Sequence, residues 1–167
     1  MNNMNLRKLR PEDAPLMLDW MHDPDCVGQL QSDFMSKTAD DCLRFIAYAQ
    51  NPTDDLHLAI ADETDTYMGT VSLKHIDNAL GRAEFAIAIR RCAMGKGLSK
   101  DAMAAIIRTG LVEMGLREVY WCVSPKNQRA VRFYDKNGYP RISLESVSAP
   151  GYTPEQIREY IWYCVTR

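Results

Sequence analysis

The sequence predicts one mixed α/β domain, of the α+β type, over residues 1–167. Three observations carry this. Short segments rich in β-formers alternate with polar turns through the middle of the chain. One of them, Ala83 to Ile89, runs into a glycine-bearing loop that opens an amphipathic helix. That helix is followed after a short connection by Glu118-Val-Tyr-Trp-Cys-Val123, which makes a strand-helix-strand unit with parallel strands. A sheet that is antiparallel early and crosses over in parallel after the loop is the expected result. A chain of 167 residues supports one core and is too short for two ordinary domains.

Asn5 to Arg10 alternates weakly and reads as a first strand. Pro11-Glu12-Asp13 suits the first turn of a helix, where proline needs no N–H partner and acids meet the positive end of the dipole. Leu16, Met17, Trp20 and Met21 continue that helix, and Asp23-Pro24-Asp25 stops it. Thr38 with Asp41 resembles a capping box and starts a second helix, carried by Leu43, Ile46 and Ala47 to Asn51-Pro52. Leu56–Ile60 and Tyr67–Leu73 flank the polar turn Ala61–Thr66 and form an antiparallel hairpin. Asp77, Asn78 and Gly81 mark the next turn. The strand Ala83–Ile89 then alternates large Phe85, Ile87 and Ile89 with small Ala86 and Ala88, so that something can lie close on one side. Met103, Ile106, Ile107, Leu111 and Met114 place a helix over 98–114, ended by Gly115. Asn127 to Lys136 is a third long helix, stopped at Asn137-Gly138. Arg141 to Val147 and Tyr160 to Val165 read as further strands around a Pro/Gly excursion, Ala149 to Pro154. The sheet is therefore expected to have about six or seven strands.

Composition narrows the function. Hydrophobic residues make up 46% and charged ones 25%, and the net charge of −2 gives no basic surface for nucleic acid. No apolar run is long enough to span a bilayer, and Met-Asn-Asn-Met-Asn has no signal-peptide pattern, so a cytoplasmic protein without membrane partners is expected. Cys26, Cys42, Cys92, Cys122 and Cys164 are scattered, as are His22, His57 and His75, so metal-ligand spacing is absent and free thiols are expected.

The stretch Glu84 to Tyr139 carries the chemistry. Backbone N–H groups exposed where a glycine loop opens a helix make a site for phosphate or pyrophosphate. Gly95 and Gly97 alone fit a plain strand-to-helix turn equally well, and neither the Walker spacing nor the dinucleotide fingerprint is present. The loop and the segments C-terminal to it are more specific together. Met94-Gly-Lys-Gly97-Leu-Ser99, a helix, a strand, and Asn127, Ala130, Tyr134, Gly138 and Tyr139 in their spacing resemble the GNAT superfamily of N-acetyltransferases. The family loop is written [Gln/Arg]-x-x-Gly-x-[Gly/Ala], and its later helix Asn-x-x-Ala-x-x-x-Tyr-x-x-x-Gly-[Phe/Tyr]. The later helix matches at every fixed position. In the loop, Met94 stands where the family has Gln or Arg, and Ser99 where it has a final Gly or Ala. Because backbone groups do the loop's work, Lys96, Arg90 or Arg91 is expected to supply the charge that Met94 does not.

The resemblance implies a GNAT fold, with helices on both faces of a mixed, mostly antiparallel sheet, and acetyl-CoA as co-substrate without a metal. Its pantetheine arm would pair with the strand around Ile87 and Ile89, and its pyrophosphate would sit on Met94, Gly95, Lys96, Gly97, Leu98 and Ser99. Asn127 either bonds the CoA arm or caps its helix, or does both. Tyr134 is the family's usual general acid at the CoA sulfur; otherwise it packs helix to sheet. Glu84 matches a position where many members carry an acid, so it is either the general base or one half of a strand-edge ion pair. His75 is a second candidate base by its pKa range.

An amine acceptor would attack the thioester directly in a ternary complex. Its site would be built from the first two helices and the Ala149–Pro154 excursion. The segment Asp19 to Pro24 is similar to the Trp…Asp-Pro stretch of branches that acetylate protein N-termini or amino sugars, although Trp20 suits a core equally well. Asp54-Asp55 and Asp62-Glu63-Asp65 either attract a cationic amine or are solvated turns. The expectation is acetyl transfer to a small primary amine, such as an amino sugar or sugar nucleotide, by a monomer or homodimer. A protein N-terminal acceptor is the rival. A non-catalytic acyl-CoA-binding module, or a protein using the loop for ATP or NAD, is the reading from another class.

Overall fold

A computed structural model describes residues 3–28, 30 and 32–167. Six strands form one sheet: β1 (Asn5–Lys8), β2 (Leu56–Ala61), β3 (Tyr67–Asp77), β4 (Arg82–Ile89), β5 (Glu118–Val123) and β6 (Ile161–Thr166). They lie side by side in chain order, and every neighbouring pair is antiparallel except β4 and β5. The parallel pair is the one joined through a helix, as a crossover between parallel neighbours requires.

Alternation along the strands sorts two layers. Ile60, Val71, Leu73, Phe85, Val119, Trp121 and Tyr163 point to one face and bury against α4 (Leu98–Arg108), through Ala102, Met103, Ile106 and Ile107. On this face Tyr134 of α5 (Gln128–Lys136) closes the far end. The opposite face carries α1 (Ala14–Met21) and α3 (Ala39–Gln50), packed through Met17, Trp20, Cys42 and Ile46 onto Ala59 and Tyr67. A smaller cluster on Tyr120, Trp162 and Cys164 takes in Tyr152 and Ile157 from the late part of the chain.

Local chemistry explains most boundaries. Thr38 and Asp41 form the reciprocal capping box at the start of α3. Pro11–Asp13 is a 3-10 turn rather than the first turn of α1, because Asp13 turns inward: it accepts from the Arg10 N–H at 2.9 Å and pairs with Arg7 at 2.8 and 3.0 Å. Asp23 ends α1 but also caps a short α2 (Pro24–Val27). The helix expected to run to Met114 leaves α geometry at Arg108 and closes as one turn of π-helix, Thr109–Glu113. A Cβ at Gly110 would lie 3.1 Å from Leu73 Cδ1 and 3.3 Å from Val119 Cγ2, so this wider turn runs against the sheet.

One expected strand is absent. Arg141 makes only an isolated bridge to Tyr163, with Ile142 N–H donating to Trp162 and Cys164 N–H to Pro140. The chain then leaves the sheet into a 3-10 turn, Leu144–Ser146, because Ile142 and Val147 pack inward on the Trp162 cluster instead of extending an edge. Thr153 caps another unexpected helix, α6 (Pro154–Glu159). No helix among the described residues is long and apolar enough to cross a membrane.

Candidate active site

The site lies where β4 and β5 part. Their parallel register holds for three pairs only, Arg82 with Glu118, Ala83 with Val119 and Glu84 with Tyr120. Beyond Glu84, β4 stays paired to β3 through Ile89, while its other edge has no strand beside it among the described residues. Backbone polar groups on such an edge call for a partner. Ile87 and Ile89 lie here, their side chains half-buried against the α4 core.

At the end of β4 a 3-10 turn, Arg91–Ala93, leads into Met94, Gly95, Lys96 and Gly97. Gly95 and Gly97 have φ of +77° and +79°, left-handed values that a side chain resists, and nothing lies within 4 Å of where a Cβ on Gly95 would be. Gly97 is the N-cap of α4, so the helix presents its first N–H groups to this open space without a side-chain cap. Leu98 contributes only backbone here, since its side chain is buried in the core, and Ser99 is half-buried. This backbone cradle fits a pyrophosphate.

Of the side chains expected to supply the charge that Met94 does not, the two arginines are engaged within the fold. Arg90 is held by Asp19 at 2.9 Å and by the Tyr67 carbonyl at 3.0 Å. Arg91 donates to Asp23 and Asp25, both at 2.7 Å. That hydrogen bond from Arg91 is the main reason the Asp23 carboxyl sits at about 2. Both arginines therefore tie the loop to α1 and α2 and are not free to meet a ligand. Lys96 is exposed and makes no ion pair among the described residues. Arg129, in the first turn of α5, reaches back across the loop and places Nη1 2.7 Å from Met94 Sδ. A thioether is a weak acceptor, so this guanidinium keeps its charge available at the cradle. Asn127 caps α5 by accepting from the Ala130 N–H at 3.3 Å, which leaves its amide NH₂ for a ligand.

Tyr134 is buried at 7% exposure. Its ring lies 5.5 Å from Trp121, 5.1 Å from Tyr163 and 6.5 Å from Tyr139. Burial first, then the neighbouring Tyr163, Cys122 and Tyr139, push its phenol well above the ordinary range, so it stays protonated. Its hydroxyl has no hydrogen-bond partner among the described residues, although the ring packs on four others, Phe133 included. A buried phenol with an idle proton is suited to donating one.

Across the sheet, Glu84 is buried at 3% exposure on the face shared with Tyr120. Tyr152 donates to its Oε2 at 2.6 Å, and His75 Nδ1 lies 3.0 Å from its Oε1. Burial and then the charges of Cys122 and Glu84 push the Tyr152 phenol upward. Tyr120 has a buried hydroxyl without a hydrogen-bond partner among the described residues. Burial and the Glu84 charge raise this phenol to about 12. Glu84 is thus buried rather than at a surface edge, and its ion-pair partner is the half-exposed His75.

Asp55, Asp62, Asp65 and Trp20 are held in structural contacts. Asp55 accepts from the His75 N–H at 3.1 Å and from His57 and Tyr48 at 3.3 Å. Asp62 closes its own turn through Thr64 and Thr66, and Asp65 pairs with Arg7 and Arg10 at 2.8 and 2.6 Å. Trp20 donates to the Tyr67 hydroxyl at 2.8 Å and stacks edge-on to Phe34, which makes it core. Tyr152, Tyr120 and Arg129 carry no motif that marks them in the sequence. No group of three His, Cys, Asp or Glu that could hold a metal occurs among the described residues.

The profile of the acetyltransferase (GNAT) domain family matches residues 3–140. The chain therefore belongs to the GNAT acetyltransferase family, and it is an acetyl-CoA-dependent N-acetyltransferase. No curated protein matches the sequence. Among solved structures, the chain is similar to spermidine N-acetyltransferase from Vibrio cholerae in complex with CoA and spermine, with a TM-score of 0.80 and 17% identity, covering 98% of this chain and 95% of that one. A probable acetyltransferase gives 0.78 and 17% over 99% and 93%. A dodecameric spermidine N-acetyltransferase from Vibrio cholerae gives 0.73 and 17% over 98% and 94%. At such identities these likenesses speak for the fold.

Proposed function

We propose that this protein transfers the acetyl group of acetyl-CoA to a small-molecule primary amine by direct attack in a ternary complex. The observation that carries this is the parting of β4 and β5, with Tyr134 on one face and the buried, doubly bonded Glu84 on the other. The gap offers a strand edge to the pantetheine arm, the Gly95–Gly97 cradle takes the pyrophosphate, and Arg129 adds charge beside it. Tyr134 protonates the departing thiolate. Glu84 is the acceptor-side carboxylate, whose charge favours a cationic amine.

Of the acceptors suggested by sequence, an amino sugar or sugar nucleotide draws no support from the similar structures with a stated substrate, which are spermidine acetyltransferases. Within the Asp19–Pro24 segment, similar to branches that acetylate protein N-termini or amino sugars, Asp19 and Asp23 are occupied by Arg90 and Arg91. A polyamine therefore heads the acceptor panel, followed by amino sugars and N-terminal peptides. The enzyme acts in the cytoplasm as a monomer or homodimer, which sizing chromatography checks against larger assemblies. The functional test is release of free thiol from acetyl-CoA across that panel. Turnover on a small primary amine is the expected result. Tight CoA binding with no turnover on any amine would make the protein a binding module instead.

A further inference from the structure

His75 is the most unusual residue of the sheet. It lies inside β3 yet has φ of +51°, a left-handed value that a non-glycine residue holds only when its surroundings impose it. The register between β3 and β4 slips at this point, between Lys74 and Asp77. Two backbone bonds fix the distortion: the His75 N–H donates to Asp55 Oδ1 at 3.1 Å, and the Ile76 N–H to the Asp54 carbonyl at 2.8 Å. The result swings the imidazole over Glu84, with Nδ1 3.0 Å from Oε1. A carboxylate at Nδ1 favours a proton on that nitrogen, so in the neutral ring Nε2 holds the lone pair. Nε2 has no partner among the described residues, and the side chain is 45% exposed.

Glu84 has the opposite character. Its side chain is 4% exposed, and each oxygen already accepts a hydrogen bond, one from His75 and one from Tyr152. Each oxygen keeps a second lone pair, but at 4% exposure the carboxylate offers a substrate nitrogen little access. The proton acceptor with access is the imidazole.

We propose that His75 Nε2 is the general base for the acceptor amine, and that Glu84 is the positioning residue that fixes its tautomer and direction, with Tyr152 fixing Glu84 in turn. This rests on the acetyl-transfer reading above. An ammonium acceptor loses two protons. The first passes to Nε2 and on to solvent, and the resulting amine attacks the thioester carbonyl carbon. The C–N bond forms, the C–S bond breaks, and the thiolate takes the Tyr134 proton. The second nitrogen proton, lost in that step, restores Tyr134 through solvent. The charged and titratable groups around the His75–Glu84 pair are Lys74 and Asp77 of β3, Asp55 ahead of β2, Arg82 of β4, Tyr120 and Cys122 of β5, and Tyr152.

The test is the pH profile of kcat/KM for the amine at saturating acetyl-CoA. His75→Asn suits the left-handed backbone and cannot act as a base; His75→Ala opens room for added imidazole. The wild-type profile should fall toward acid as Nε2 becomes protonated. His75→Asn should remove that fall and lower kcat/KM by about 10²–10³-fold, with CoA binding unchanged and imidazole partly restoring His75→Ala. Glu84→Gln should keep the fall while losing rate. A His75→Asn enzyme with the wild-type rate and profile overturns the assignment, as does a Glu84→Gln enzyme that alone loses the acidic fall. If the wild type binds CoA but turns over no amine, the acetyl-transfer reading fails first and this one falls with it.

Discussion

Replacing Tyr134 with Phe separates chemistry from packing. The ring is buried against Trp121, Tyr163, Tyr139 and Phe133, with centroids between 5.1 and 6.5 Å, and phenylalanine keeps every one of those contacts. The hydroxyl has no partner among the described residues, so removing it leaves no buried group unsatisfied and forfeits no net hydrogen bond, which would be worth about 1 kcal/mol. Tyr134→Phe should therefore unfold in urea within about 0.5 kcal/mol of wild type, whereas Tyr134→Ala should lose about 3–5 kcal/mol by leaving a cavity. Catalysis should respond in the other direction. Losing the proton donor should lower kcat by about 10²–10⁴-fold, with little change in KM for acetyl-CoA. Thiol release with the best amine of the panel, alongside urea midpoints on the same samples, gives both quantities. An unchanged kcat would refute Tyr134 as the acid. Loss of more than about 2 kcal/mol on Tyr134→Phe would mean that the hydroxyl has a structural partner.

Three further outcomes rest on contacts at the loop and at the two ends of α1. Arg129→Ala should weaken acetyl-CoA binding by about fivefold, roughly 1 kcal/mol for an exposed charge-assisted contact, with the salt dependence of KM reduced and kcat nearly unchanged. Asp13→Ala should cost about 3 kcal/mol, because it strips Arg7 of its buried bidentate partner and Arg10 N–H of its acceptor while Asp65 still holds the guanidinium; thermal unfolding should fall by about 6–12 °C. Asp23, held at about 2 by Arg91, binds its proton less readily folded than unfolded. Its contribution is complete above the usual carboxylate range near pH 4 and is lost as pH falls toward 2; the urea midpoint of wild type should exceed that of Asp23→Asn at pH 5 and converge with it at the acid end.

What local sequence reveals of this fold, and what it hides, has a physical pattern. Features set by neighbours in sequence are legible: the Thr38–Asp41 capping box, the helix end at Gly115 and the strand Glu118–Val123 are all present. Thr153 and Gln156 form the same kind of box and mark α6, a signal that lies inside a Pro/Gly stretch and so reads as loop. The false strand at Arg141 to Val147 has the right residue types. Whether Ile142 and Val147 extend an edge or fold inward depends on Trp162, which local pattern does not show. Long-range pairing decides the site in the same way. Arg90 and Arg91 are candidates for the phosphates by sequence, but partners 71 and 68 residues away claim them. Tyr152 reaches Glu84 across 68 residues. The distortion that aims His75 is set by an aspartate 20 residues earlier.

The gap between β4 and β5 has a consequence for how this enzyme changes over time. An edge of peptide groups presents the same N–H and C=O array whatever side chains it carries, so its hold on a cofactor arm is nearly blind to mutation, with proline the exception. Residues on the acceptor face have no such protection, because their bonds run through side chains. On the proposed assignment, drift at positions such as His75 and Tyr152 changes the amine acceptor while the donor stays fixed.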